Sequence, residues 1–279
     1  MTSICTTPIY KLKELNNLFI EMTSKNCNQR CKSCYIDFPV SKNIKDFIQI
    51  DRIKDALNDT KNMPLQCIYL TGAEPMTHPD FNSILRLSLK RCNVCICTNG
   101  SFLNEKKVRF LKKVEDEVIN ANGNQIFFKL SLTHFDERQN DDTKYRGNFR
   151  QTIFALKTLS RYGFSSILTV QNFYNLEETE IRINFERIFE EQKISDTDIK
   201  IIQSFQQNSS SDFDNISSKT DCMYGRVLSA NGIYVCPFLS NDYRGRVGSD
   251  LKNFSDSYRA ETDFCTSCSK NNNFVFSIG

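Results

Sequence analysis

The sequence predicts an α/β fold: a partial, open (β/α)6 barrel of the TIM type over residues 1–205, then a small unit over residues 206–279 built on a β-hairpin and a helix. Three observations predict it. Short apolar runs alternate with longer segments of helical periodicity, the rhythm of βαβ units around a parallel sheet. Six such strands precede residue 205, too few for a closed eight-stranded barrel. The rhythm then stops at a stretch rich in Ser, Asn, Asp and Gln, residues 203–218, which reads as a linker.

The elements follow in order. Residues 18–22 are a first strand that runs straight into a cysteine-rich loop. Residues 46–58 have helical spacing through Phe47, Ile50, Ile53 and Leu57. Residues 67–70 form a strand stopped by Thr71-Gly72, and 81–89 a helix after the turn Thr77-His78-Pro79-Asp80. Residues 94–97 are a strand ended by Thr98-Asn99-Gly100, and 104–118 a charged amphipathic helix. Strands at 126–132, 166–170 and 199–202 alternate with helices at 149–162 and 177–191. Past the linker, residues 226–229 and 233–235 flank Ala230-Asn231-Gly232, an Asn-Gly hairpin signal.

Composition narrows the function. With 279 residues, 39% of them hydrophobic and 22 Phe, the chain can bury a large core. A net charge of +3 is too small to argue for nucleic acid or an acidic membrane surface. No apolar run approaches the ~18 residues of a membrane span, and the N-terminus has no signal-peptide core. The expected location is the cytoplasm, where twelve cysteines read as metal ligands or reduced thiols rather than a disulfide framework.

The most informative feature is Cys27-Asn-Gln-Arg-Cys31-Lys-Ser-Cys34. At this cysteine frequency a C-x-x-C pair is expected by chance about 0.5 times and this triple about 0.02 times. Four thiolates would close an iron–sulfur cube, whereas three leave one iron open to a substrate or cofactor. A structural zinc wants four ligands, usually as two separated pairs. In a β/α barrel the chemistry collects at the C-terminal ends of the strands. The first strand ends in the cysteine loop, the second in Gly72-Ala73-Glu74-Pro75 and the third in Thr98-Asn99-Gly100, while the fourth carries Ser131. A carboxylate, small polar groups and backbone amides would suit a zwitterionic amino-acid group next to a nucleoside.

With these motifs the chain resembles the radical S-adenosylmethionine (SAM) superfamily. The anchors are the triple at Cys27, Cys31 and Cys34 and the Gly-Gly-Glu-Pro-type segment at Gly72, Ala73, Glu74 and Pro75. The resemblance implies a [4Fe–4S] cluster whose open iron chelates SAM. Reductive cleavage then gives a 5′-deoxyadenosyl radical that abstracts a substrate hydrogen. It implies that Glu74 holds the methionyl amino group, that Ser131 and Arg146 lie near the methionyl carboxylate or ribose, and that Asn172 contacts the ribose or adenine edge. The chain departs from the pattern twice. Ala73 stands at the second glycine, and Ser33 stands where the family often has an aromatic residue against the adenine, so that Tyr35 becomes the candidate. A flavodoxin- or ferredoxin-type protein is the implied electron donor.

Cys222, Cys236 and the pair Cys265-Thr-Ser-Cys268 offer four further thiolates, enough to close a second [4Fe–4S] cluster; spacing alone equally permits zinc. The arrangement resembles the auxiliary-cluster appendage called the twitch domain, and it lacks the further cysteines of the longer SPASM domain. Of the remaining cysteines (Cys5, Cys67, Cys92, Cys95, Cys97), Cys95 and Cys97 share one strand face and are candidate hydrogen-atom donors. His78 reads as a turn residue and His134 as a loop residue at the barrel mouth, more often exposed than functional. An auxiliary cluster taking up an electron implies oxidative chemistry. The expected substrate is a ribosomally made peptide or protein, undergoing oxidative crosslinking or epimerisation. Only 26 residues precede Cys27, leaving no room there for a winged-helix leader-peptide module. The alternatives are dehydrogenation of a small sugar-like or aminocyclitol alcohol and, from another class, a non-catalytic zinc- or cluster-binding regulator.

Overall fold

The computed structural model describes residues 9–36, 38–203, 221–240, 242–260, 262 and 265. The expected linker beyond Gln203, Cys5, Cys268 and the expected C-terminal helix beyond Cys265 lie outside the described residues. The elements are β1 (Ile9–Lys11), β2 (Asn17–Thr23), α1 (Ile50–Asp59), β3 (Cys67–Gly72), α2 (Phe81–Leu89), β4 (Asn93–Cys97), α3 (Glu105–Asn122), β5 (Ile126–Leu132), α4 (Glu137–Thr143), α5 (Asn148–Arg161), β6 (Ser166–Asn172), α6 (Glu178–Gln192) and β7 (Thr197–Gln203). They are followed by β8 (Gly225–Ser229), β9 (Gly232–Tyr234), β10 (Arg246–Gly248) and β11 (Ser257–Arg259).

Strands β2 to β7 pair in sequence order, all parallel, and among the described residues the sheet does not close on itself. This is an open α/β barrel. Its core obeys the strand period of two. Ile68 and Leu70, Val94 and Ile96, Phe128 and Leu130, and Leu168 and Val170 are buried under the helices, against Ile84, Leu111, Leu156 and Phe185. The alternate positions turn inward and are largely polar. Thr71, Cys97, Ser131, Thr169 and Gln171 line one concave cavity. A parallel strand covered on both faces would read as a continuous apolar run; here a polar inner face marks a site.

The C-terminal hairpin joins the same sheet. β8 runs parallel to β2, with Asn17 opposite Gly225 and Ile20 opposite Leu228, and β9 folds back antiparallel with Ser229 opposite Gly232. Gly232 has φ +147°, and a Cβ there would stand 2.7 Å from Arg246 Nε, so the turn requires glycine. β1 pairs antiparallel with β11 in a separate two-stranded sheet, which ties the N-terminal segment to the chain beyond the hairpin.

Two expectations need correction. The first helix starts at Ile50 rather than 46, because the preceding residues are committed elsewhere. Asp46 accepts bonds from the Thr23 hydroxyl and from Lys25 N, and Phe47 bridges to Thr23. The short helix α4 was not foreseen. Its side chains are almost entirely polar, so it has no apolar periodicity to betray it; Asp136 caps it by accepting from Gln139 N.

Candidate active site

The cysteine loop leaves β2 at the mouth of the barrel. Asn26 N donates to Thr23 Oγ1 at 2.9 Å, and Cys34 N donates to Cys31 O at 3.3 Å, which folds the loop tightly. Gln29 pins it to α5: its Nε2 donates to Gln151 Oε1 at 3.0 Å and its Oε1 accepts from Asn148 Nδ2 at 3.1 Å. Ser33 N donates to Thr143 O at 3.0 Å, tying the loop to α4. Cys27, Cys31 and Cys34 are free, half-buried and turned to one cavity of about 860 Å³, open mouth included.

The thiols suit a thiolate-binding group. Gln29 N donates to Cys27 Sγ at 3.4 Å and Asn99 Nδ2 at 3.7 Å. Burial pushes Cys31 up to about 11, with the Lys144 ammonium pulling the other way, and also raises Cys27 and Cys34. In turn burial lowers Lys144, against the pull of the three thiol groups. Deprotonation therefore accompanies metal loading. Among the described residues no group of three or more Cys, His, Asp or Glu side chains stands in metal-holding array.

Glu74, two residues beyond β3, has no exposed surface. Its carboxylate accepts from Thr98 Oγ1 at 2.8 Å, Met76 N at 3.1 Å and Asn99 N at 2.9 Å. It thus locks the end of β3 to the end of β4. Burial pushes its carboxyl up to about 7, against those three donors. Gly72 has φ +125°, and a Cβ there would stand 2.3 Å from Thr23 O. Only glycine allows this approach, after which Ala73 N donates to Thr23 O at 2.8 Å. Ala73 is not in the left-handed region, so its methyl costs nothing.

The structure brings Cys27, Cys31, Cys34, Tyr35, Gly72, Ala73, Glu74 and Ser131 to this cavity. It does not bring Arg146, which is exposed. Nor does it bring Asn172, whose amide is spent on Leu176: Nδ2 donates to its O at 2.7 Å and Oδ1 accepts from its N at 2.9 Å. The cation at the cavity is Lys144, whose Nζ donates to Ser131 Oγ at 2.7 Å. Lys144 was missed because its position depends on the unforeseen α4; the only hint was its place two residues before Arg146. Cys97 lines the cavity, whereas Cys95 is buried deeper on the same strand face. His134 is not an exposed loop residue. It is 4% exposed, accepts from Asp136 N through Nδ1 at 2.8 Å and packs on Tyr174. His78 is a turn residue, its ring bonded to Ile48 O and Asp80 N.

A second thiol group packs against Phe19, on the inward face of β2. Cys222, Cys236 and Cys265 pack in one cluster with Tyr10, Phe19, Phe238 and Tyr258. Cys265 Sγ lies 3.2 Å from both Tyr258 OH and Thr262 Oγ1. Arg226, 1% exposed, donates to Cys222 O at 2.6 Å, Gly225 O at 2.7 Å and Asp256 O at 2.9 Å. Burial lowers its guanidinium to about 10, against the pull of Cys222, Asp256 and Cys236. Tyr35 meets Phe238 edge-on at 5.4 Å, so the two thiol regions touch.

The Radical SAM superfamily model matches residues 22–185, more than half of the chain; the chain belongs to that superfamily. Its fold binds a [4Fe–4S] cluster and SAM. No curated protein sequence matches. Among solved structures, Streptococcus suis SuiB bound to precursor peptide SuiA is similar at TM-score 0.62 and 14% identity, over 93% of this chain and 65% of that one. SuiB bound to S-adenosylmethionine gives 0.61 and 14% over 86% and 64%. The chain thus spans just under two thirds of the SuiB chains. The anSMEcpe protein with bound AdoMet gives 0.61 and 13% over 92% and 80%. Among the described residues no helix is long and apolar enough to cross a membrane.

Proposed function

We propose that the chain is a cytoplasmic radical SAM enzyme that oxidatively modifies a ribosomally made peptide or protein, with an auxiliary cluster accepting an electron. Cys27, Cys31 and Cys34 would hold the SAM-binding [4Fe–4S] cluster. Lys144 and Ser131, already bonded to each other, would hold the methionyl carboxylate in the role first expected of Arg146. Glu74 would keep the strand ends in place and offer a remaining lone pair to the methionyl amine. Tyr35 would flank the nucleoside. When bound, the cluster and SAM supply the 5′-deoxyadenosyl radical that takes a substrate hydrogen. Cys222, Cys236, Cys265 and Cys268 would hold the auxiliary cluster, and a flavodoxin- or ferredoxin-type protein would supply the initiating electron. Cys97, at the cavity wall, is the better placed of the two candidate hydrogen donors if the outcome is epimerisation.

The observation that carries this reading is the convergence of three free thiols, a lysine ammonium and residues of five strands, β3 to β7, on one open cavity. Supporting the peptide class is the fold shared with SuiB, which in one structure is bound to precursor peptide SuiA. The test is iron analysis of anaerobically purified protein with SAM and reductant. About eight irons per chain and release of 5′-deoxyadenosine are expected. Zinc without deoxyadenosine overturns the reading in favour of a regulatory metal-binding protein. Deuterium transfer to deoxyadenosine from a labelled cyclitol, and not from a peptide, would move the substrate class to small alcohols.

A further inference from the structure

The inner face of the barrel carries a second cation, one layer below the mouth. Lys129 lies on β5 and is 2% exposed, and its Nζ makes no hydrogen bond. Among the described residues no carboxylate stands within ion-pair distance of it. In the sheet register Lys129 lies beside Cys97 of β4. Ser131, two residues on and therefore on the same face, lines the cavity, as does Cys97. The Tyr69 ring centre is 5.3 Å from Nζ, and the Lys129 charge reaches the thiols of Cys67, Cys95 and Cys97.

A buried ammonium is costly unless an anion or several acceptors meet it. An aromatic face offsets part of that cost, but three N–H donors remain to be filled. Water-facing lysines escape this by reaching solvent; Lys129 points into the barrel instead. The cavity above it is lined by the hydroxyls of Thr71 and Thr169, the Cys97 thiol, the Gln171 amide and one carboxylate, Glu74, whose oxygens are taken up by Thr98 Oγ1, Met76 N and Asn99 N. The mouth cation Lys144 is already bonded to Ser131, so the two lysines are not equivalent. One is committed at the mouth, and the other lies behind the cavity lining, beside Cys97, with no hydrogen bond from its Nζ.

We propose that Lys129 is an anchor for a substrate carboxylate, which enters through the cavity, displaces the lining beside Cys97 and pairs with the ammonium just behind it. The proposal rests on the reading of this cavity as the active site and narrows its substrate class. An acidic peptide or a free carboxylic acid is favoured, a neutral polyol gains nothing and a cationic aminocyclitol is repelled.

Cys97 reports on that anchor. Iodoacetate and iodoacetamide each transfer their CH2 carbon to the Cys97 sulfur, with loss of the thiol proton and of iodide; they are close in size and differ in charge, and their different intrinsic rates cancel when wild type and variant are compared. On the anaerobically purified chain, with the metal it carries and no SAM, mass spectrometry measures the ratio of the two labels at Cys97. That ratio should be about tenfold higher in the wild type than in K129M or K129Q, and retained in K129R. In the wild type alone, millimolar N-acetylglutamic acid amide should protect Cys97 from iodoacetamide, while its glutamine counterpart should not. N-acetylalanine, a chain-end carboxylate, tells the two sources apart: stronger protection by it assigns the anion to a peptide terminus, and weaker protection to an acidic side chain. Equal ratios in wild type and K129M, no protection by either carboxylate, or no labelling of Cys97 while exposed thiols react would each overturn the proposal. Labelling needs no SAM cleavage, so failure of the radical reading leaves this result intact, and the reverse holds too.

Discussion

The two thiol regions are built on opposite principles. Cys27, Cys31 and Cys34 come from one short loop, face an open cavity and share it with the Lys144 ammonium. Cys222, Cys236 and Cys265 come from distant parts of the chain and are packed among Tyr10, Phe19, Phe238 and Tyr258. The first set opens on a cavity, and the described thiols of the second pack against aromatic rings. Space beside a metal permits chemistry on a bound molecule, whereas thiols packed among rings suit holding charge. Arg226 fits that difference: its guanidinium is spent on three backbone carbonyls of the second region, while Lys144 keeps a side-chain partner at an open wall.

The sharpest way to break the contrast is to remove one thiol from each region. Cys31→Ala should cut iron to about half and abolish 5′-deoxyadenosine formation altogether. Cys236→Ala should also halve the iron, yet leave SAM cleavage within a few-fold of wild type while product formation is lost. If Cys236→Ala abolished SAM cleavage as completely, the two regions would be one functional unit. Iron assay and chromatography of deoxyadenosine decide the matter.

A smaller effect concerns the open site and pH. Burial pushes the Glu74 carboxyl up to about 7, from an ordinary value near 4.5. Between those values the folded chain holds a proton that the unfolded chain has released. The stabilisation this gives is fully present below about pH 4.5 and is lost as pH rises through about 7, a change of order 3 kcal/mol. Glu74→Gln should flatten that slope in urea titrations of the cluster-free chain at pH 5 and 8. A slope unchanged by the substitution would assign the pH dependence elsewhere. The smallest expected effect is at Lys144. Lys144→Met should weaken SAM binding about tenfold, the range for one lost charge-assisted hydrogen bond. Lys144→Arg should recover part of it, and equilibrium binding to the cluster-loaded chain measures both. Wild-type affinity in Lys144→Met would return the carboxylate role to another residue.

Much of this was legible in advance because strands and helices announce themselves by period. β5 and α2 match their expected bounds, and β3, β4 and β6 differ at their ends by one or two residues. Elements without an apolar period were not legible. α4 is polar throughout and α1 begins late because Asp46 and Phe47 serve the end of β2. The site divides the same way. Local motifs named Cys27, Cys31, Cys34, Gly72, Ala73 and Glu74, since a metal loop and a strand-end turn constrain neighbouring residues. Lys144 reaches the cavity only through the α4–α5 connection, while Arg146, two residues on, is exposed. Asn172 looked equally available, but its amide closes the turn to Leu176.

The sequence by itself determined the alternation of strands and helices, the open barrel and the three-thiol loop, because each follows from spacing along the chain. Only the tertiary structure decided which cation meets that loop, that the hairpin extends the sheet beside β2, and that Lys129 lies buried with no hydrogen bond from its Nζ. Those outcomes depend on which side chains distant segments bring to a common face, and on how burial treats a charge once it is there. Neither quantity has a period along the sequence.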